Sequence, residues 1–340
     1  TTTVVSGQQA DDPLYVPEIK RVQNCLGRQG VTYIGDCKMG ALQTRAYVAS
    51  SQDYYLCPLS AVQVSPAELE QLLQPVTTGQ QPLTAIYGPQ QTPEAQAEQI
   101  AEGYQYTVWQ QAQVGGQTIS WAERHLVIRS LKRAHSLAVA LRTRVHKALA
   151  AIAALNQRGQ GKKCFPEAAQ LQEAVEQILT RYDVKEFISL SYSTHRTERP
   201  LRRYGSRPAG IKVDQSVSVN GAINEAAVTA AIGQLGWRVY ATNQPQETLS
   251  LQQAVLAYRS EYWIERGMGR LKNKPLSLTP LSLTPMYLES EARVKGLIRL
   301  LVIGLRVLTL LEFVVRRNLS QRGQKLAGIY PANPKRATAQ

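Results

Sequence analysis

The sequence contains few cysteines and no cysteine pair with metal-binding spacing. Its 340 residues include only Cys25, Cys37, Cys57 and Cys164, which lie far apart with no CxxC motif. This spacing excludes zinc fingers and thioredoxin-like redox chemistry. Scattered single cysteines are typical of a reducing compartment, where they serve as small buried hydrophobic residues.

The sequence also lacks an uninterrupted apolar run and a secretory signal at its start. The longest apolar stretch, from Leu297 to Val315, contains Arg299, Arg306 and Glu312. A membrane-spanning helix rarely carries three charges, so we expect no membrane-spanning segment here and interpret this stretch as a mostly buried amphipathic core helix.

Acidic residues are scarce relative to basic ones. There are 39 Lys and Arg against 25 Asp and Glu, which gives a formal net charge of +14. Apolar residues make up 44% of the chain, as in ordinary globular proteins, so a disordered or fibrous chain is excluded. The surplus of positive charge predicts a polyanionic partner, with nucleic acid first and an anionic membrane surface as the alternative.

The first 58 residues predict an α/β unit. A helix over residues 13–26 ends at Gly27, and a short buried strand over residues 31–35 has Asp36 at its carboxyl end. A helix over 39–49 and a strand over 53–58 follow. Two strands with a helix between them predict parallel pairing.

The middle of the chain predicts a mixed α+β region. Ser65 and Glu68 form a capping-box pattern that begins a helix, and Gly115-Gly116 predicts a hairpin turn. Residues 120–156 are expected to form one long basic helix or a broken pair. A basic loop follows between strands within residues 184–220, and residues 237–242 predict another strand.

A helix from Leu251 to Lys272 carries the most informative spacing. Tyr258, Glu265 and Lys272 are seven residues apart, so they share one face, and Glu261 lies on the same stripe. Such a helix can offer a metal-binding carboxylate beside phosphate-binding cations. The alternative is a solvated charged face with Tyr258 and Trp263 in the core. Asp36 is likewise either a ligand at a strand end or a turn cap.

Together these segments resemble a known family. The spacing Tyr258-x2-Glu261-x3-Glu265-x6-Lys272 is similar to the Tyr-Arg-Glu-Lys signature of DDE transposases in the family named after insertion sequence four. The segments 33–39, 236–243 and 264–272 resemble that family in the same order.

The resemblance implies an α/β fold with an incomplete ribonuclease-H-like catalytic core, interrupted by a large mixed α+β insertion domain. It implies core segments at 1–58 and 236–330, an insertion domain at 59–235 and a flexible tail at 331–340. It also implies that Asp36 and Glu265 are catalytic acids that bind Mg²⁺, with Mn²⁺ as a substitute, in a two-metal site.

The DNA-binding residues include those implied by the signature and those expected from charge. The resemblance implies that the partner is double-stranded DNA at element ends and target, with dimerisation across paired ends, a bacterial cytoplasmic and nucleoid location, no membrane partner and no small-molecule substrate. The expected set is Tyr258, Arg259, Arg266, Arg270, Lys272, Arg129, Lys132, Arg133, Arg202 and Arg203.

Two departures from the family bear on activity. Nothing before Asp36 resembles the strand that carries the family's first Asp, and Asp11-Asp12 is a weak substitute. Glu261 stands where the family has Arg, and Leu-Ser-Leu-Thr-Pro at 276–280 is repeated at 281–285. We therefore expect transposition chemistry that is incomplete in this chain, with a non-catalytic DNA-binding remnant or inhibitor as the alternative.

Overall fold

A computed structural model describes residues 3–5, 8, 10–89, 96–157, 165–201, 210–272 and 290–323. The helices of these residues are α1 (Tyr15–Leu26), α2 (Leu42–Ser50), α3 (Pro66–Thr77), α4 (Leu131–Leu155), α5 (Ala168–Tyr182), α6 (Glu225–Gly233), α7 (Leu251–Arg259), α8 (Tyr262–Lys272) and α9 (Glu291–Gln321). The strands are β1 (Thr32–Ile34), β2 (Tyr54–Pro58), β3 (Thr84–Tyr87), β4 (Gln99–Val114), β5 (Gln117–Ser130), β6 (Ile188–Leu201), β7 (Gly210–Ile223) and β8 (Trp237–Thr242).

The strands form one mixed sheet and one separate ribbon. Six strands are hydrogen-bonded in the order β1-β2-β8-β5-β4-β3, and β6 pairs with β7 alone. β1 and β2 run parallel, with Tyr33 opposite Tyr55, whereas β3 and β4 run antiparallel. The general prediction of an α/β fold is confirmed, as is the parallel pairing of the first two strands.

The chain divides into two compact units. Unit 1 contains residues 1–60, 107–125 and 241–340, and unit 2 contains residues 61–106 and 126–240. The predicted boundaries between core and insertion domain follow residues 58 and 235. They lie near two of the boundaries between the units, which follow residues 60 and 240. Residues 107–125 fall in unit 1, whereas the predicted insertion domain includes them.

In unit 1, a turn separates β1 from α2. The side chain of Asp36 accepts hydrogen bonds from the backbone N–H groups of Lys38 and Met39. These bonds hold a turn over residues 37–40, so α2 begins at Leu42, three residues later than predicted. Behind this turn, Tyr55, Leu56 and Cys57 of β2 are buried.

The prediction of a long helix from residue 120 is wrong over its first eleven residues, which belong to β5. Gly115 and Gly116 have positive φ angles of 58° and 82°, and they turn the chain back so that β5 follows β4. Because β5 lies between β8 and β4, the run from Glu123 to Ile128 is buried. Sheet pairing therefore overrides the helical pattern, and α4 begins only at Leu131.

In unit 2, a hydrophobic core joins α4, α5 and the inner end of the β6–β7 ribbon. Leu141, Val145 and Ile152 of α4 pack with Leu171 and Val175 of α5. Residues 184, 188, 217 and 219 also belong to this cluster. The core thus fixes one end of the ribbon against two helices.

Two predictions for the C-terminal helices need correction. The predicted helix over 251–272 is divided at Ser260 and Glu261, where the backbone N–H of Glu261 bonds to the carbonyl of Tyr258 and that of Trp263 to Ser260. The sequence predicts α9 as a mostly buried core helix, yet α9 contains no buried residue. Among the described residues, other elements contact α9 along one side only, and most of these contacts come from α8.

Cysteine burial also differs from expectation, because Cys25 and Cys37 are exposed and only Cys57 is buried among the described cysteines. No helix among the described residues is both long enough and apolar enough to cross a membrane.

Candidate functional site

Asp36 lies exposed at the carboxyl end of β1 in unit 1. Its Oδ1 accepts hydrogen bonds from the Tyr15 hydroxyl at 2.7 Å, the Lys38 N–H at 2.9 Å and the Met39 N–H at 3.4 Å. Oδ1 therefore caps the turn, and Oδ2 accepts no hydrogen bond from the described residues.

Tyr15 connects this turn with other acids of unit 1. Burial raises the pKa of the Tyr15 phenol first, and the hydrogen bond to Asp36 and the charges of Asp36, Asp11 and Glu261 raise it further. Three carboxylates from different segments thus act on one phenol. Glu261, at the junction between α7 and α8, lies within the electrostatic range of the Asp36 turn.

Glu265 lies on the first turn of α8, and its side chain is exposed. Its backbone N–H bonds to the carbonyl of Glu261 at 3.0 Å, and its carboxylate makes no hydrogen bond or ion pair with the described residues. Glu261 is thus one helical turn from Glu265.

The division of the helix at Ser260 changes the predicted face. Bonds between residues three apart at 258–264 tighten the chain there, so Tyr258 and Glu265 are not on one continuous α-helix. Tyr258 is half-buried and Arg259 is exposed. Trp263, expected in the core under the alternative interpretation, is 53% exposed.

Two arginines lie over the exposed ring of Trp263. The guanidinium of Arg266 is 6.0 Å from the ring centroid, and that of Arg316 on α9 is 5.1 Å from it. Arg266 therefore has a ring partner close to Glu265. The side chains of Arg270 and Lys272 lie outside the described residues, as do Arg202, Arg203 and the repeat at 276–285.

Arg129 is held within unit 2 and does not lie on a basic helix. Its guanidinium bonds to Glu102 and to the carbonyls of Leu235 and Ile232, each at 3.2 Å. It also lies 5.9 Å from the centroid of the Trp237 ring. These contacts are typical of a structural arginine. Lys132 and Arg133 differ, because both are exposed in the first turn of α4 and form no ion pair with the described residues.

A buried polar network in unit 1 was not anticipated from the sequence. Glu123 is fully buried, and its Oε2 contacts the Arg45 guanidinium and the Tyr55 hydroxyl. Its Oε1 lies 2.8 Å from Nε2 of His125 and 3.1 Å from Nε2 of Gln110. The alternation of Trp121, Glu123 and His125 would have indicated a strand that places all three on one side.

The network fixes the charge of Glu123 and supports the Asp36 turn. Burial would raise the pKa of Glu123, but the hydrogen bonds from His125, Tyr55 and Arg45 and the charge of Arg45 lower it to about 2. Arg45 also donates from Nε to the Gly40 carbonyl at 2.9 Å. The guanidinium thus joins Glu123 to the last residue of the turn that Asp36 caps.

Asp36 and Glu265 have the donor chemistry that a hard cation needs. Each carries a carboxylate oxygen that is exposed and accepts no hydrogen bond from the described residues, and Mg²⁺ binds through one or two carboxylates together with phosphate oxygens. Within the described ranges, no three His, Cys, Asp or Glu side chains converge closely enough to hold a metal by themselves.

Comparison of the chain with protein-family models, with curated proteins and with solved structures finds no match.

Proposed function

We propose that this chain acts in DNA transposition, with a ribonuclease-H-like core in which Asp36 and Glu265 bind Mg²⁺ at a DNA phosphate. The observation that carries the proposal is the Tyr15 phenol, which donates to Asp36 at 2.7 Å and responds to the charge of Glu261. It supports an arrangement in which the turn after β1 and the start of α8 serve one site.

The roles of the residues follow from their positions. The turn and Tyr15 hold Oδ1 of Asp36 in place. This fixes the direction of Oδ2, which accepts no hydrogen bond from the described residues. Glu265 is exposed on a helix whose next residue, Arg266, supplies a cation for a phosphate. A bound Mg²⁺ would supply charge stabilisation at the phosphodiester and activation of the attacking hydroxyl or water.

DNA contact is proposed for exposed cations. Lys132 and Arg133 lie free of ion pairs with described residues, Arg259 is exposed, and the whole chain carries a charge of +14. These residues would neutralise phosphates without reading sequence, so the affinity for DNA would fall steeply as salt rises. Arg129 is left out of this set because its guanidinium is already bonded within unit 2.

The test is Mn²⁺ binding, measured by electron paramagnetic resonance on the full chain with duplex DNA present. We expect Asp36→Asn and Glu265→Gln each to weaken Mn²⁺ binding by about tenfold or more, the least that loss of even a supporting residue costs. Asn at position 36 keeps the oxygen that caps the turn. Glu70→Gln, an exposed change of the same charge on α3, should bind as the wild type does. Equal Mn²⁺ affinity in all four proteins would refute the site.

One observation favours the second candidate, a non-catalytic DNA-binding protein. Oδ1 of Asp36 accepts three hydrogen bonds, which is the usual arrangement of an aspartate that caps a turn. In that case the chain binds duplex DNA, and neither Asp36→Asn nor Glu265→Gln changes its affinity for Mn²⁺. The same titration therefore separates the two functions.

Dimerisation is part of the proposal. α9 exposes Leu300, Ile303, Val307, Leu310 and Val314, which are spaced alternately by three and four residues. This is the pattern of a coiled-coil seam, through which two copies of the chain would associate.

A further inference from the structure

The ion pair of Arg45 and Glu123 is the most deeply buried ion pair among the described residues of unit 1. The two side chains are 6% and 0% exposed. Removing two charges from water costs free energy that their attraction recovers only with excellent geometry, and well-packed apolar side chains often give equal or greater stability. Stability alone is therefore a poor explanation of this pair, so the other contacts of the guanidinium matter.

The guanidinium of Arg45 makes contacts in two directions. Its Nη1 donates to Oε2 of Glu123, and its Nε donates to the backbone carbonyl of Gly40 at 2.9 Å. A planar guanidinium keeps its donor groups at fixed angles to one another. The position of the Gly40 carbonyl therefore depends on the position of the Glu123 carboxylate.

Glu123 is itself held from neighbouring strands. The Tyr55 hydroxyl on β2 donates to Oε2 of Glu123, and Nε2 of Gln110 on β4 donates to Oε1 at 3.1 Å. The Tyr55 hydroxyl in turn accepts a hydrogen bond from Nε1 of Trp121 at 2.8 Å. Arg45 thus donates to a carboxylate that side chains of three strands already hold in place.

The turn that Asp36 caps has one exposed end and one buried end. Asp36 is exposed, whereas Met39 and Gly40 are buried. At the buried end the Gly40 carbonyl accepts from Arg45, and at the exposed end Oδ1 of Asp36 accepts from two backbone N–H groups of the turn. A displacement of the buried end would therefore move the N–H groups that hold Asp36.

We propose that Arg45 is a positioning residue for Asp36. By holding the Gly40 carbonyl, Arg45 fixes the turn, and the turn fixes Oδ1 of Asp36 so that Oδ2 keeps one direction toward Mg²⁺. Arg45 is buried, so it acts through the backbone of the turn and not on the metal or the DNA. The inference rests on the proposed function for the ligand of Asp36, whereas the effect of Arg45 on the turn can be measured without that ligand.

The variant Arg45→Lys separates the two contacts of the guanidinium. A lysine ammonium keeps a positive charge beside Glu123, so the buried carboxylate is not left without a cation. The ammonium is a single point charge on a flexible stem, and it has no second donor group in the place of Nε. The Gly40 carbonyl therefore loses its hydrogen bond from residue 45, while the charge of the network stays the same.

The first measurement is backbone hydrogen exchange, followed by NMR on the full chain in EDTA and without DNA. In Arg45→Lys the amides of Lys38 and Met39, which donate to Asp36, should exchange faster than in the wild type. The amide of Gly27 at the end of α1 should be unchanged. Arg144→Lys is the matched control, because it makes the same change in a solvent-exposed ion pair of unit 2. Unchanged exchange in the turn of Arg45→Lys, or equally faster exchange in the control, would overturn the proposal.

The second measurement is Mn²⁺ affinity, with duplex DNA present as in the test of the proposed function. Arg45→Lys should weaken Mn²⁺ binding by about tenfold, as loss of a residue that supports a metal ligand does. Tyr55→Phe removes another donor from Glu123 but leaves the bond from Arg45 to Gly40. It should lower the free energy of unfolding in urea and leave both Mn²⁺ affinity and amide exchange in the turn unchanged. An equal loss of Mn²⁺ affinity in Tyr55→Phe would mean that Arg45 acts through general stability, which contradicts a positioning role.

The inference and the proposed function can fail separately. If the wild type binds no Mn²⁺, the proposed metal site is wrong, and amide exchange alone decides whether Arg45 holds the turn. If the wild type binds Mn²⁺ and Arg45→Lys binds it equally well, the positioning role is wrong and Asp36 remains a ligand. Urea unfolding shows that each variant is folded before its exchange and Mn²⁺ affinity are compared.

Discussion

At the scale of single residues, the most constrained group of unit 1 is the carboxylate of Glu123. Four side chains approach its two oxygens, so its negative charge is fully compensated despite complete burial. A buried charge is tolerated only with such partners. The same Arg45 guanidinium reaches Gly40, so the network bears on the turn of Asp36 as well as on stability.

The lowered pKa of Glu123 predicts a specific pH dependence of stability. Because the pKa falls from 4.5 to about 2 on folding, the unfolded chain binds the proton more tightly. This stabilisation is present above pH about 4.5 and is lost as pH falls toward 2. Urea unfolding across that range should show a steeper loss of stability in the wild type than in Glu123→Gln. Parallel curves for the two proteins would contradict the prediction.

At the scale of elements, the predicted hairpin turn at Gly115-Gly116 is followed by an unpredicted long strand, β5, and a glycine permits the close approach of β4 and β5 within unit 2. A Cβ at Gly103 of β4 would lie 2.3 Å from the Val127 carbonyl oxygen of β5. Backbone atoms cannot move aside as a flexible side chain can. The strand therefore needs glycine at this position although its φ is ordinary.

We expect Gly103→Ala to lower the free energy of unfolding by about 1–3 kcal/mol, because the added methyl group overpacks the sheet. Gly233→Ala on α6 is the matched control, since nothing lies within 4 Å of the position that the added methyl group would occupy. There alanine should stabilise the helix by about 0.5–1 kcal/mol. Urea unfolding measures both changes. The same sign in both variants would show that close approach does not explain the glycine.

At the scale of the whole molecule, apolar surface and net charge point to partners. α9 shows five exposed apolar residues with coiled-coil spacing, and Leu311 and Phe313 beside them are also exposed. A contiguous set of exposed apolar residues of this size is ordinarily covered by a partner. Val307 and Val314 at one seam position with Leu310 at the other favour two strands, whereas the pair of Leu300 and Ile303 does not.

Self-association through this seam should be concentration-dependent and measurable by sedimentation velocity. Leu310→Glu places a charge in the seam and should shift the chain to monomer. Thr309→Glu adds the same charge at the exposed position immediately before Leu310, outside the seam, and should leave association unchanged. A wild-type chain that is monomeric throughout, or equal effects of the two variants, would contradict the dimer.

Local patterns predicted many elements of this chain. The capping box at Ser65 forms as expected, with the Glu68 side chain accepting from the Ser65 N–H at 2.7 Å. The same local pattern is present at Ser250, where the Gln253 side chain accepts from the Ser250 N–H at 2.8 Å. The strand over 237–242 and the end of α1 at Gly27 are also confirmed. These features form through contacts between residues a few positions apart, so short sequence patterns are enough to predict them.

The misassigned elements depend on distant partners. Residues 120–130 have enough charge and apolar spacing to resemble a helix, but pairing with β4 and β8 makes them a strand. The residues of the candidate site likewise differ in whether the sequence could identify them. Asp36 at a strand end and Glu265 on a helix were recognisable by position, whereas Tyr15, which acts with Asp36 and responds to Glu261, was not.

The sequence by itself determined the surplus of positive charge, the helix caps and the parallel β1–β2 unit, because composition and short-range spacing suffice for these. Only the tertiary structure decided that Glu123 is buried and ionised among four polar side chains. It also decided that backbone carbonyls accept hydrogen bonds from the Arg129 guanidinium. It also decided that the β6–β7 ribbon leaves the core and that one side of α9 is exposed. Burial and register depend on residues far apart in the chain, and no local pattern contains that information.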